Sequence, residues 1–145
     1  MPVRGYRKVA CMSIDPRSDR AVYLQVADIV RGDIVKGRLK PGDDLPSEAA
    51  LGQTLGVGRE AIRQALGVLR SEGLIVTERG FGSRVREHAE RRPIKLKRGD
   101  VITGRMPSEP ERRSMDLDEG VPLIVLTHAD GSVELLPGDA VELSL

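Results

Sequence analysis

Apolar residues follow a helical period through the first half of the chain and an alternating one after it. Val22, Val26, Ile29, Val30 and Ile34 recur three or four residues apart, the spacing that lines one face of a helix. That helix is expected to run to about Lys36, capped at its start by Ser18 or Asp19. The turn-rich connection Gly37 to Pro46 has Leu39 and Leu45 as anchors and room for only a short strand. At Pro46-Ser47-Glu48 a second helix starts, because the Ser47 hydroxyl can accept from free backbone N–H groups and Glu48 complements the positive helix end. Ala50, Leu51, Thr54 and Leu55 repeat at helical spacing within it. Gly56-Val57-Gly58 then breaks the chain, with Gly56 suited to a left-handed C-cap and Val57 as an inward plug. A third helix carries Ile62, Ala65, Leu66 and Leu69 on its buried stripe, leaving Arg59, Glu60, Arg63, Gly67 and Arg70 toward solvent.

Past Gly73 the pattern changes to β. Leu74 to Glu78 is β-prone, Arg79-Gly80-Phe81-Gly82 supplies the glycines of a tight turn, and Ser83 to Arg86 returns as its partner strand. Such a hairpin beside a helix-turn-helix is a wing, and its tip is expected to present Arg79 and Arg84. A recognition helix offers its N-terminal side chains to base edges and phosphates. Arg59 and Arg63 suit guanine or phosphate, and Glu60 suits a cytosine amine or the orientation of Arg63. The candidate DNA-contact set is therefore Ser47, Gly58, Arg59, Glu60 and Arg63 in the helical pair, with Arg79, Gly80, Phe81, Gly82 and Arg84 in the wing.

Charge sharpens this picture once it is divided along the chain. The net charge of +1 conceals 20 Lys and Arg against 12 Asp and Glu in residues 1 to 98, and 3 against 10 in residues 99 to 145. A basic first part fits a polyanion, which would repel the acidic second part. Double-stranded DNA is the implied partner, and no membrane span or signal peptide is legible. The single cysteine, Cys11, excludes an internal disulfide and fits a reducing, cytoplasmic setting.

Other chemistry finds little support. Gly56-Val57-Gly58-Arg59-Glu60-Ala61 matches the spacing of a dinucleotide fingerprint, but a capped helical segment precedes it where a buried strand is required. His128 and Asp130, with Asp116, Asp118 and Glu119 nearby, fit no recognised ligand spacing. Neither a cofactor nor a metal is expected, and no catalytic constellation can be drawn.

The helix, the turn-rich connection, P-S-E, V-G-R-x-x-I-R-x-A-L-x-x-L-x-x-E-G-L-I and G-F-G-S-x-V together resemble the DNA-binding domain of the GntR family of bacterial transcription regulators. The resemblance covers about Asp15 to Val85. It implies DNA contact by Arg59 and Arg63 and by the wing turn Gly80-Phe81-Gly82. Two positions depart from the family pattern: Ala49 stands where many members have Arg, and Glu60 where Thr, Ser or Pro is common. The operator therefore cannot be borrowed from relatives. Arg105 to Leu126 resembles the opening of the effector-binding domain of HutC-type members, of which the chain holds only the beginning.

The expected fold class is α+β. A flexible arm (1–17) precedes a winged helix-turn-helix domain (18–87), a charged linker (88–99) with a short extended piece at Ile94 to Leu96, and a small β-rich domain (100–145). In that domain strands are expected at Val101 to Met106, Val121 to Thr127, Val133 to Leu136 and Val141 to Leu143, with a short helix from Pro110 to Met115. About 46 residues is too little to enclose a metabolite pocket and keep an independent core. Pairing with a second copy is the expected remedy, although packing onto the first domain or an AbrB-type swapped hairpin fits the same pattern. The function expected is that of a sequence-specific regulator, a repressor, binding a palindromic operator as a homodimer without a small-molecule effector site inside one subunit. The alternative is an accessory, non-catalytic DNA-binding protein acting with another protein.

Overall fold

A computed structural model describes residues 13–88 and 90–145, so most of the expected arm lies outside the described residues. The chain divides into two compact units, Met1–Arg86 and Glu87–Leu145.

The first unit is built on three helices, α1 (Val22–Val35), α2 (Glu48–Leu55) and α3 (Arg59–Ser71), followed by the hairpin β1 (Ile75–Glu78) and β2 (Gly82–Val85). Val26, Ala27 and Val30 of α1 meet Leu51 of α2, Ile62, Ala65, Leu66 and Leu69 of α3, and Ile75 and Val85 of the hairpin in one aliphatic core. Leu39 and Leu45 of the connection close that core, as the sequence implied. Between them, Val85 and Asp43 are joined backbone to backbone, and the Leu45 N–H donates to Ser83 O at 2.8 Å. An isolated antiparallel bridge, Asp44 to Arg84, ties the connection to the wing without forming a third strand.

Three expectations need correction in this unit. Helix α1 begins at Val22 with Ala21 in the cap position and no side-chain cap. Ser18 is instead used locally, its hydroxyl accepting from the Arg20 N–H at 3.2 Å. Ser18 and Asp19 are therefore spent on a bend before the helix. Val22 stays exposed, while Asp33 on the same helix is buried, its carboxylate accepting from Arg38 Nε at 2.7 Å. The expected arm also holds part of the fold, because Ile14 packs on the core and the Asp15 N–H donates to Gln25 Oε1 at 2.8 Å.

The second unit has two small sheets. Strands β4 (Val101–Arg105), β5 (Leu123–Thr127) and β6 (Val133–Pro137) form an antiparallel sheet in that order. A short helix, α4 (Glu109–Ser114), lies between β4 and β5 and carries a full capping box made by Ser108 and Glu111. The extended piece expected at Ile94 to Leu96 in the linker is a strand beginning two residues earlier, β3 (Arg92–Lys95), and it has a partner the sequence did not indicate: it pairs in parallel with β7 (Val141–Ser144) in the register Arg92 to Val141. Short extended segments need a partner to become strands, and this partner lies at the other end of the unit. Leu117, Val121 and Leu123 form a small core with Met115 against it.

Candidate nucleic-acid interface

Local chemistry sets the turn between α2 and α3. The Ala50 N–H donates to Ser47 Oγ at 3.1 Å, so the Ser47 side chain caps α2. Gly56 ends the helix at φ 66°, a left-handed conformation that costs a residue with a Cβ about 1 kcal/mol. The Val57 N–H then donates to Gly52 O at 3.0 Å, and Val57 packs against the core as the sequence implied. Gly58 takes the cap position of α3 in extended geometry.

Sequence reasoning overlooked Gly52. A Cβ added there would lie 3.0 Å from Val57 O and 3.9 Å from Ile62 Cγ1. The absence of a side chain lets the turn fold back against α2, and nothing in the local sequence signals so close an approach.

Helix α3 buries Ile62, Ala65, Leu66 and Leu69 and leaves Arg59, Glu60, Arg63 and Gln64 exposed. The Arg59 side chain is 82% exposed, with Nε 3.4 Å from Glu48 Oε2. Arg63 points to solvent one turn later, while Gln64 Nε2 donates to Glu60 Oε1 at 3.4 Å. Farther along, Arg70 departs from the solvent face expected for it. Its Nη1 donates to Thr77 Oγ1 at 3.2 Å, and Thr77 shares a 2.7 Å hydrogen bond with Ser83 across the hairpin. Gly67 is half-buried.

In the wing, Gly80 and Gly82 both have positive φ, and the Phe81 N–H donates to Glu78 O at 3.1 Å, so the tip is the turn Arg79 to Gly82. Phe81 is 85% exposed on it, and Arg79 is exposed beside it. Arg84 is not at the tip. It lies opposite Val76 in the strand register and its guanidinium pairs with Glu78. Two residues of alternation along β1 put Glu78 on the same face as Val76 and so beside Arg84.

An ionic chain ties α1 to the end of α3. Arg31 donates to Asp28 at 2.7 Å and to both oxygens of Glu72 at 2.6 and 2.8 Å, and Arg20 donates to Asp28 at 2.6 and 2.9 Å. The Arg20 guanidinium, followed by that of Arg31, holds the Asp28 carboxyl below its ordinary range. These contacts brace the scaffold that presents α3.

Two candidates of the acidic segment, Asp130 and His128, have partners within the second unit. Asp130 accepts the Ser132 hydroxyl at 2.6 Å and its N–H at 2.8 Å, closing the β5–β6 turn. His128 Nδ1 sits 3.1 Å from Asp100 Oδ1, and the Lys97 N–H donates to the same carboxyl group at 2.8 Å. Lys97, Arg98, Asp100, His128, Asp130 and Ser132 line a polar cleft of about 440 Å³.

Comparison with known proteins accords with this geometry. Residues 22–85 match the model of the bacterial regulatory proteins of the gntR family. The mannosyl-D-glycerate transport/metabolism system repressor MngR of Escherichia coli is 43% identical over 68 residues, 47% of this chain and 28% of that protein. The transcriptional repressor NagR of Bacillus subtilis is 29% identical over 124 residues, 86% of this chain and 48% of that repressor. The chain thus spans less than half the length of either. Among solved structures, YtrA from Sulfolobus acidocaldarius, a GntR-family transcription factor, is 38% identical with a TM-score of 0.50 over 52% of this chain and 80% of that one. With a winged helix-turn-helix in its first unit and this match over most of a family member, the chain belongs to the GntR family of DNA-binding transcription regulators.

Proposed function

We propose that the protein is a transcriptional repressor that binds a two-fold-symmetric operator as a homodimer, with α3 in the major groove and the wing tip against the adjoining sugar-phosphate edge. One observation carries this: Arg59 and Arg63 stand exposed on the first turns of α3, on a helix whose opposite face is wholly committed to the core. In this reading the Arg59 and Arg63 guanidiniums meet guanine edges or phosphates. Glu60 reads a cytosine amine or steers Arg63. The Ser47 hydroxyl, already accepting from Ala50, keeps its proton for a phosphate oxygen. Gly58, Gly80 and Gly82 let the backbone approach closely, and Arg79 and Phe81 provide the wing contact. Arg84 contributes less, because Glu78 already occupies it.

The repressor sense follows MngR and NagR, both of which are repressors. The protein acts in the cytoplasm, without catalysis, and the second unit supplies the dimer contact. The acidity of residues 99 to 145 favours a second reading, in which that segment docks on another protein and the chain works as an accessory DNA-binding factor. Footprinting on the DNA flanking its own gene, paired with sedimentation of the purified chain, tests both. A symmetric footprint from a dimer supports the first, and a single half-site from a monomer the second. No protected sequence would reject operator binding there.

A further inference from the structure

The three-stranded sheet of the second unit has two edges of different character. On β6, Glu134 is tied to Arg92 at 3.2 Å and Pro137 ends the strand. A charge and a proline are the usual guards of an edge, since an unguarded row of N–H and C=O groups invites another strand. On β4, Val101, Ile102, Thr103, Gly104 and Arg105 are all exposed and include neither lysine nor proline. The one charge, Arg105, is neutralised within its own subunit by both oxygens of Glu111, at 2.7 and 2.8 Å. Val101 and the following Met106 are each 57% exposed. In a segment with 10 acidic against 3 basic residues, β4 is thus an apolar, charge-neutral edge on which two copies can meet with least repulsion.

We propose that β4 is that meeting edge: two copies pair antiparallel through it, centred on Thr103, and join their sheets into one of six strands. This rests on the homodimer proposed above and specifies its contact. The strand complements its own reverse. In that register Thr103 faces Thr103 of the second copy, a favourable cross-strand pair. Ile102 faces Gly104, whose missing side chain leaves room, and Val101 faces the aliphatic stem of Arg105. No like charges are opposed. An antiparallel pair of identical strands has a two-fold axis, the symmetry of an isologous dimer.

The test uses the full chain at micromolar concentration in sedimentation equilibrium, with Thr103→Lys, Thr103→Glu, and Val133→Lys on the guarded edge as a control. The parent and Val133→Lys are expected to be dimers. Each Thr103 variant places like charges on the axis and is expected to dimerise more weakly, by up to about fivefold. An equimolar mixture of the two should regain parent affinity, a recovery that misfolded variants cannot show. A dimeric parent whose Thr103 variants associate equally well would overturn the β4 contact and leave the homodimer standing. Variants that dissociate but stay apart when mixed would overturn it too. A parent that stays monomeric would overturn the homodimer, and this contact with it.

Discussion

Glu48 Oε2 lies 3.4 Å from Arg59 Nε, so the first residue of α2 touches the first residue of α3 across the turn. The pair is exposed and long, in the range where an ion pair contributes only about 0–1 kcal/mol. In the complex proposed above, a phosphate or a guanine edge therefore takes Arg59 from Glu48 at small cost. Without DNA, the carboxylate lies beside the Arg59 side chain at the N-terminal end of α3.

Replacing Arg59 or Arg63 with Ala is expected to weaken operator binding by ~1–3 kcal/mol while circular dichroism stays unchanged. Glu48→Gln is expected to tighten binding by at most about fivefold at low salt, since it only removes the competitor for Arg59. Fluorescence anisotropy on the footprinted site measures all three. Wild-type affinity in both arginine variants would remove α3 from the interface.

Gly52→Ala sets two effects against each other. Alanine in a helix gains up to about 1 kcal/mol over glycine. The added Cβ, however, would sit 3.0 Å from Val57 O, and Val57 is pinned by its packing on the core. The turn cannot open without lifting Val57, and overpacking of this kind costs ~1–3 kcal/mol. A net loss of about 1 kcal/mol in urea unfolding is expected, with DNA binding weakened beyond it because the angle between α2 and α3 changes. A stabilised variant with unchanged DNA affinity would show that the turn yields freely.

The parts of the fold legible in the sequence are those whose causes are local. The stripe Ile62, Ala65, Leu66, Leu69 marks α3, and Gly56 and Ser47 mark the ends of α2, because each acts within a few residues of itself. Arg59 and Arg63 were legible as exposed for the same reason. What escaped depends on partners distant in sequence. The pairing of β3 depends on β7, although its extended character at Ile94 was legible; Gly52 matters because Val57 O folds back on it, and Arg84 leaves the wing tip because the register sets it beside Glu78. Ser18 has the chemistry of a cap, but its hydroxyl is taken by the Arg20 N–H ahead of the helix.

Asp33 and Arg38 offer a double-mutant cycle. Asp33 is 4% exposed, and Arg38 donates to its carboxylate at 2.7 Å. Removing Arg38 leaves a buried carboxylate without its cation, a change expected to cost about 2 kcal/mol. Asp33→Ala alone also loses the hydrogen bond, but the double variant carries no orphaned charge and should be more stable than Arg38→Ala. Chemical denaturation of the four proteins gives the coupling. Additive single effects would show that the pair does not act as a unit.

Glu111 is an expected source of acid sensitivity in the second unit. The Arg105 guanidinium, then the N–H and hydroxyl of Ser108, hold its carboxyl at about 2, against 4.5 ordinarily. A carboxyl lowered in the folded state contributes stability above its unfolded value, and loses it as protons bind between that value and the folded one. The contribution is therefore complete above pH 4.5, falls progressively from there toward pH 2, and is absent below. Because solvent reaches this group, the expected signature is a slope rather than a large loss. The second unit should lose stability over that window more steeply in the parent than in Glu111→Gln, whose amide does not titrate. The two should differ by a constant amount at neutral pH. Thermal unfolding followed from pH 6 to pH 2 measures both, and parallel curves for the two proteins would show that Glu111 is not a source of the acid sensitivity.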